Sequence, residues 1–256
     1  MLPGIQEPNL FTFKKANLTF EEFCGIIKAN NINYLYCLFS GGRDSLVALH
    51  ISKKVSEHLD VPIEAIHVDT TISTPGNLQY VKNVCKELNV RLSVVKPKHD
   101  YFTYVDRWGF PTATRRWCCY HLKIEPLKIY FKDRNTKNSL LIDGIRRDES
   151  TRRKEFPKIG FHRHFKIICY HPIFEWNKTD VTYYIATNSL KENPLYNIFP
   201  RATECWCPVF KTVKQFKMLK KYFPELFHKL VEAEARLKSG GSALYKNGKK
   251  IYLRDL

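Results

Sequence analysis

Short continuous apolar runs alternate, through the middle of this chain, with stretches in which apolar residues recur every three or four positions. The runs are YLYCLF (34–39), IEAIHV (63–68), RLSVV (91–95), SLLIDG (139–144) and KIICYHPI (166–173). Helical periodicity falls between them, over 45–59, near 77–88 and near 121–133. A strand apolar at consecutive positions needs cover on both faces, which a parallel sheet flanked by helices supplies. The chain is therefore expected to form an α/β domain on a doubly wound, mostly parallel sheet. Ahead of the first run, Thr19 and Glu22 have capping-box spacing before FEEFCGIIKAN, predicting a helix over about residues 20–30. Beyond NPLYNIFPRATECWCP the pattern becomes lysine-studded helix over about 211–237, and SGGSALYKNGKK then reads as a mobile tail. The expected divisions are an N-terminal helical extension (1–30), a main domain (31–208) and a basic helical C-terminal extension with its tail (209–256).

In open α/β sheets, ligands sit at the carboxyl ends of the strands where strand order reverses. That directs attention to Ser40–Ser45, Asp69–Thr71 and Gly144–Arg147. The first segment, SGGRDS, ends a strand and feeds a helix, so it presents backbone N–H groups at a helix N-terminus, where the dipole favours an anion. Gly41 and Gly42 remove side chains that would block a phosphate, and the hydroxyls of Ser40 and Ser45 can donate to its oxygens. The spacing is neither GxxxxGK[ST] nor GxGxxG. The alternative is a tight strand-to-helix turn capped by Asp44 or Ser45.

Composition adds constraints. A chain of 256 residues can bury one substantial core. No apolar run approaches the roughly 20 residues of a membrane span, and MLPGIQEPNLFTFKK lacks the order of a secretory signal, so a cytoplasmic protein without membrane attachment is expected. The net charge of +17 attracts polyanions, nucleic acid being the commonest, with solubility alone as the other reading. One basic group (Arg115, Arg116, Lys123, Arg146, Arg147, Arg152, Arg153, Lys154) gathers around the expected site, and another (Lys211, Lys214, Lys217, Lys220, Lys221) lies in the C-terminal extension.

The eight cysteines argue against a disulfide framework in this setting. Cys118 and Cys119 are adjacent, with Cα atoms about 3.8 Å apart, below the roughly 4.4 Å an ordinary disulfide needs. Cys205 and Cys207 form a second close pair, followed by Pro208. Four thiols in two pairs suit an iron-sulfur cluster or zinc. Adjacent cysteines reach one zinc ion awkwardly but can bind different irons, so a 4Fe-4S cluster is preferred over zinc, with four reduced thiols as the remaining reading. Cys24, Cys37, Cys85 and Cys169 lie in helix or strand patterns and read as core. His67, His121 and His171 show no paired ligand spacing and read as structural.

SGGRDS after a first strand resembles the PP-loop motif SGGxDS of the ATP pyrophosphatase superfamily. Within it, the chain is similar to the phosphoadenosine phosphosulfate (PAPS) reductase-like family. The segments carrying the likeness are HVDTTISTPGNLQYV, GFPTATRRWCCYHLKIEPL, DGIRRDESTRR, PIFEWNKTDVTYYI and NPLY ahead of a cysteine pair, spanning about 34–208 in the family's order. The resemblance implies an adenine nucleotide alpha hydrolase-like fold. It implies that Ser40, Gly41, Gly42, Arg43, Asp44 and Ser45 hold nucleotide phosphates, that the loop opened by Asp69 and Thr70 borders the adenosine, and that Gly144, Arg146 and Arg147 frame the far side. Arg146, Arg147 and Arg152 are the charge-matched partners expected for a polyphosphate or sulfate, and Asp44, Arg146 and Arg147 are the expected catalytic residues. In the cluster-bearing branch of the family a Cys-Cys pair and a later Cys-x-x-Cys pair ligate 4Fe-4S, so Cys118, Cys119, Cys205 and Cys207 are the expected ligands. Here the later pair is Cys-x-Cys. Trp176 and Asp180 match a further family pattern, Asp180 serving equally as a residue that stabilises a helix start. Lys123 is a candidate contact for phosphate or for cluster sulfides.

Reductases of the family attack the sulfonate with a cysteine in a C-terminal Glu-Cys-Gly-like segment, whereas the last cysteine here is Cys207. The intact SGGRDS loop is the form associated with cleaving ATP between its α and β phosphates. The leading expectation is an enzyme using ATP (or APS/PAPS) and Mg²⁺ to adenylate an acceptor, coupled to cluster-dependent sulfur transfer to RNA or DNA. A sulfur-donor protein and self-association are the further partners considered. The alternatives are a sulfonucleotide reductase drawing its thiol from elsewhere, and a non-catalytic module binding nucleotide or nucleic acid.

Overall fold

The computed structural model describes residues 10–200, 204–237, 244–246 and 249–256. Five apolar runs become strands β1 (Tyr34–Leu38), β2 (Ile63–Val68), β3 (Arg91–Val95), β4 (Ser139–Ile142) and β6 (Ile167–Tyr170); β5 (Ile159–His162) completes the sheet. Their spatial order is β3-β2-β1-β4-β6-β5. β1 is parallel to both neighbours, with Leu35 opposite Ile63 on one side and Leu140 on the other, and β4 is parallel to β6. β5 runs antiparallel to β6 at the edge. Strand order reverses between β1 and β4, which is where a ligand crevice is expected. All four residues of β4 are buried, in keeping with a strand covered on both faces.

The helices are α1 (Leu10–Ala29), α2 (Arg43–Leu59), α3 (Asn77–Glu87), α4 (Tyr101–Trp108), α5 (Trp117–Cys119), α6 (Glu125–Lys132), α7 (Thr151–Lys154), α8 (Lys178–Thr187), α9 (Val213–Tyr222) and α10 (Pro224–Arg236). A π-helical stretch, Tyr120–Ile124, joins α5 to α6. A small hairpin pairs β7 (Leu244–Lys246) with β8 (Lys249–Ile251). Among the described residues, no helix is long and apolar enough to cross a membrane.

Packing divides the chain into two interleaved units. The first holds the described residues up to His67, with Val81–Ser93 and Asp133–Asn193; the second holds Val68–Tyr80, Val94–Lys132 and the described residues from Pro194 onward. In the first unit, α1 and α8 pack with α2. Phe23 of α1 is buried edge-on against Tyr170 of β6, centroids 4.9 Å apart, and Lys15 pairs with Asp180 at 2.7 Å. In the second, Trp206, Phe199, Phe216, Leu230 and Leu253 are fully buried in one core. The Trp206 indole N–H donates to Thr74 Oγ1 at 2.7 Å, and Leu253 N–H donates to the buried Glu234 carboxylate at 2.7 Å, fixing the last turn.

Several boundaries differ from the sequence reading. The first helix begins at Leu10, and Thr19 lies inside it. Its hydroxyl donates to the Lys15 carbonyl at 2.9 Å and accepts from Trp176 Nε1 at 3.1 Å, so burial against Trp176, and not capping, explains this threonine. The strands over 139–144 and 166–173 stop at Ile142 and Tyr170. The basic helix over 211–237 is two helices parted at Phe223, because Pro224 cannot continue the first. Of the tail read as mobile, 244–246 and 249–250 belong to paired strands, with Leu244 buried; residues 239–243 and 247–248 lie outside the described residues.

Candidate nucleotide and thiol sites

In the first unit, β1 delivers the chain into the SGGRDS turn. Gly41 adopts φ +87°, a left-handed conformation that favours glycine, and Gly42 is the N-cap of α2. Gly42, as N-cap, has no side chain of its own to bond the first turn of α2. The serines shape the cup: Ser45 Oγ donates to the Gly42 carbonyl at 2.9 Å and lies 3.1 Å from Ser40 Oγ, which accepts from Gly42 N–H at 3.3 Å. Asn193 Nδ2 donates to the Gly41 carbonyl at 3.1 Å. Arg43 forks onto Glu192 at 2.7 and 2.6 Å, so its guanidinium is held by a carboxylate.

The loop after β4 closes over this turn. A Cβ atom on Gly144 would lie 2.5 Å from the Asp44 carbonyl carbon and 2.6 Å from Ser45 N, so two backbones meet where only glycine fits. Asp143 Oδ1 orients the loop, accepting from Ile145 N–H at 3.0 Å and pairing with His171 at 2.7 Å. The buried Arg146 donates to Asp44 at 2.9 Å, pairs with Asp148, and reaches the Trp176 carbonyl at 3.4 Å. Burial raises the Asp44 carboxyl above its ordinary range, with Arg146 opposing the rise. Arg147 is 3.1 Å from Glu175 and lies over the Phe174 ring at 5.1 Å, while Arg152 is exposed. Arg43, Arg146 and Arg147 thus each carry a carboxylate partner, and the N-terminal dipole of α2 adds positive character at the turn.

The Asp69–Thr71 loop and the four expected thiols lie in the second unit. Thr71, at φ +61°, donates its N–H to Asp69 Oδ1 at 3.0 Å. Thr71 Oγ1 accepts from Tyr101 N–H at 2.8 Å, and the buried Thr70 donates to the Glu204 carbonyl at 3.1 Å. Thr70 forms part of the wall of a cavity of about 230 Å³ shared by Cys118, Cys119, Lys123, Glu204, Cys205 and Cys207. The sulfurs form a chain, Cys119 to Cys118 to Cys207 to Cys205. The Cys118 thiol, bonded to Cys119, is pushed up to about 12, and that bond draws Cys119 down to about 7. Lys123 bonds Glu204 at 3.0 Å; burial opposes its charge, but Glu204 and Cys205 outweigh burial and hold it above the ordinary lysine range.

Tyr101 stands near these thiols without lining the cavity. It is fully buried, its hydroxyl has no hydrogen-bond partner, and it feels Cys207, Cys205 and Cys118. A buried hydroxyl without a partner costs about 1–3 kcal/mol. Four soft donors beside an unused O–H have the donor chemistry of thiolate ligation. The four cysteines are free thiols, and among the described residues no three or more His, Cys, Asp or Glu side chains stand ready around a single-ion position.

The sequence singles out the SGGRDS turn, Gly144, the arginines and the thiols. It does not single out Glu192, Asn193, Asp148, Glu204 or Tyr101, which contact or lie near those residues, Asp148 from two positions away and the others across long separations. Asn193, Asp148 and Glu204 lie within the motif segments NPLY, DGIRRDESTRR and NPLYNIFPRATECWCP.

Comparison with known proteins identifies the family and the fold. The phosphoadenosine phosphosulfate reductase domain matches residues 34–222. An uncharacterized protein of Methanocaldococcus jannaschii is 35% identical over 211 residues, covering 80% of this chain and 49% of that protein. Adenosine 5′-phosphosulfate reductase 2 of Bacillus subtilis is 34% identical over 161 residues, covering 62% and 65% respectively. The chain spans less than two thirds of the length of either relative. Among solved structures, Candida glabrata FMN adenylyltransferase in complex with ATP superposes with TM-score 0.57 at 13% identity, over 77% of this chain and 63% of that one. U34-tRNA thiolase NcsA from Methanococcus maripaludis with its 4Fe-4S cluster gives TM-score 0.52 at 14% identity, over 88% and 77%. These structural likenesses are of fold, the adenine nucleotide alpha hydrolase-like sheet. With its domain match running from β1 to the end of α9, the chain belongs to the phosphoadenosine phosphosulfate reductase domain family.

Proposed function

We propose that this chain adenylates an oxygen of a nucleic-acid acceptor with ATP and takes part in replacing that oxygen by sulfur. The observation that carries the reading is the glycine-capped turn Ser40–Ser45 beneath Gly144, a cup whose shape is set by backbone and whose charge is set by helix amides. Such a cup suits the phosphates of ATP, to whose oxygens Ser40 and Ser45 would donate on turning from their bonds to each other and to the Gly42 carbonyl. Mg²⁺ bound to a nucleotide needs only one or two protein carboxylates, and Asp44, oriented by Arg146, is the candidate. The acceptor oxygen forms a bond to the α-phosphorus as the bond to the bridging oxygen breaks and pyrophosphate leaves. The α2 amides and Arg147 stabilise the charge that gathers on the leaving group. Sulfide from a donor protein then bonds to the acceptor carbon, and AMP departs with the original oxygen, so no net electrons are exchanged.

Cys118, Cys119, Cys205 and Cys207 would hold the 4Fe-4S cluster, or zinc, with the Tyr101 hydroxyl donating to a sulfur. A bound group of this kind would supply a metal site for sulfur. The thiolase of the same fold carries a 4Fe-4S cluster, which supports the preference for iron.

The test is pyrophosphate release from ATP by the parent and by Asp44→Asn, together with iron and zinc counts and the visible spectrum of anaerobically purified parent and the Cys118→Ser, Cys119→Ser double variant. Asp44-dependent release and a cysteine-dependent metal support the reading. The family match and the Bacillus subtilis relative favour one second reading, reduction of APS or PAPS by a thiol from elsewhere. Thiol-dependent sulfite release without pyrophosphate release would establish it. Nucleotide binding with neither product would leave a binding module.

A further inference from the structure

The mouth of the thiol pocket is lined by an exposed aromatic residue among cations. Phe210, 67% exposed, ends the short turn Pro208–Phe210 and lines the cavity together with Cys119 and Lys211. The Arg116 guanidinium lies 4.9 Å from the Phe210 ring centroid, and Lys211 Nζ lies 4.8 Å from that of buried Trp206. Next along the chain, α9 exposes Lys214, Lys217 and Lys221, three and four residues apart and so on one helix face; the helix contains no acidic residue. A single exposed apolar side chain needs no explanation. A ring that faces a guanidinium, lines a cavity and is followed by a run of lysines is a different arrangement.

We propose that this patch docks a single-stranded nucleic acid, with one base stacked on Phe210 at the mouth of the thiol pocket and the adjoining phosphates on Lys211 and the lysines of α9. The proposal deepens the functional reading above and rests on its choice of acceptor. Charge complementarity selects a polyanion, and the exposed ring selects one with planar faces, since base–aromatic stacking contributes about 1–3 kcal/mol per base. Duplex bases are stacked on each other and cannot reach Phe210, so a single strand is required. An acidic peptide would use the lysines but leave Phe210 without a role.

The test uses the full chain and a labelled 12-nucleotide single strand, as RNA and as DNA, followed by fluorescence anisotropy at several salt concentrations, with the same sequence as duplex and with heparin as competitor. Tight binding of either single strand is expected, about 10-fold weaker in Phe210→Ala, restored in Phe210→Trp, with the salt slope unchanged by either. Replacing Lys214, Lys217 and Lys221 by Gln should lower the slope by about 2, as roughly 0.7 per lost phosphate contact predicts. Failure of both single strands to bind, duplex or heparin binding as tightly, or a Phe210→Ala affinity equal to the parent's overturns the proposal. Pyrophosphate release from ATP, measured on the same preparations, separates the two ideas: its loss with strand binding intact overturns adenylation alone, and the converse overturns the docking surface alone.

Discussion

Arg146 Nε donates to Asp44 Oδ1 at 2.9 Å, tying the loop after β4 to the first turn of α2. The guanidinium is itself buried and also pairs with the exposed Asp148, so removing it strands one largely buried carboxylate, that of Asp44. Breaking a buried pair costs about 3–5 kcal/mol, but Asp44 retains 28% side-chain exposure, which lowers the expectation to roughly 2–3 kcal/mol. Arg146→Met should show that loss in urea denaturation, and ATP affinity should fall with it. Unchanged stability would mean the pair is solvated.

Gly144→Ala places a methyl group where the Asp44 and Ser45 backbones already stand, at 2.5–2.6 Å. Neither backbone can yield without moving the cup. We expect a loss of about 1–3 kcal/mol and a larger loss of ATP binding than of stability, measured by calorimetric titration beside thermal melting. An alanine variant that binds ATP normally would show that the loop does not frame the site.

Tyr101→Phe distinguishes a pocket built for a sulfur-ligated group from one that is merely buried. In metal-free protein the hydroxyl has no partner, so its removal should leave the melting temperature unchanged or raise it. In metal-loaded protein the same change removes a donor, and should speed metal loss to a chelator by about 10-fold, the scale of outer-shell substitutions. Equal chelation rates in parent and variant would remove Tyr101 from the pocket's chemistry.

His50 sets a pH dependence. Its Nδ1 lies 3.0 Å from the Tyr184 hydroxyl, and burial, assisted by Lys54, lowers its pKa from 6.5 to about 4. The folded state therefore keeps the imidazole neutral where the unfolded chain protonates it. Stability from this group is intact above pH 6.5 and is lost as pH falls toward 4, by up to about 1.4 kcal/mol per unit. Melting temperatures of the parent should drop more steeply across that window than those of His50→Gln. Parallel curves would refute the assignment.

Local pattern sufficed where it coincided with burial. IEAIHV and RLSVV form strands over the residues the pattern marks, because their β-branched residues favour extended backbone. It failed where a polar residue serves a distant partner: Thr19 mimics a cap but bonds Trp176 across 157 positions. It also failed at α4, whose aromatic sequence YFTYVDRW weakens the helix signal although Asp100 caps it through Thr103 N–H at 2.8 Å.

By itself the amino-acid order determined the doubly wound sheet, the glycine-rich turn at the end of β1 and the identity of four candidate thiols, because these depend on neighbours within a few residues: runs of apolar side chains, glycines at a strand end, cysteines in pairs. Only the tertiary structure decided how the charges are matched over long separations, giving Glu192 to Arg43, Asp44 to Arg146 and Glu204 to Lys123. It also left the Tyr101 hydroxyl unpartnered among the thiols. Ion pairs and buried polar groups are settled by through-space distance and loss of water, and neither is encoded in sequence separation.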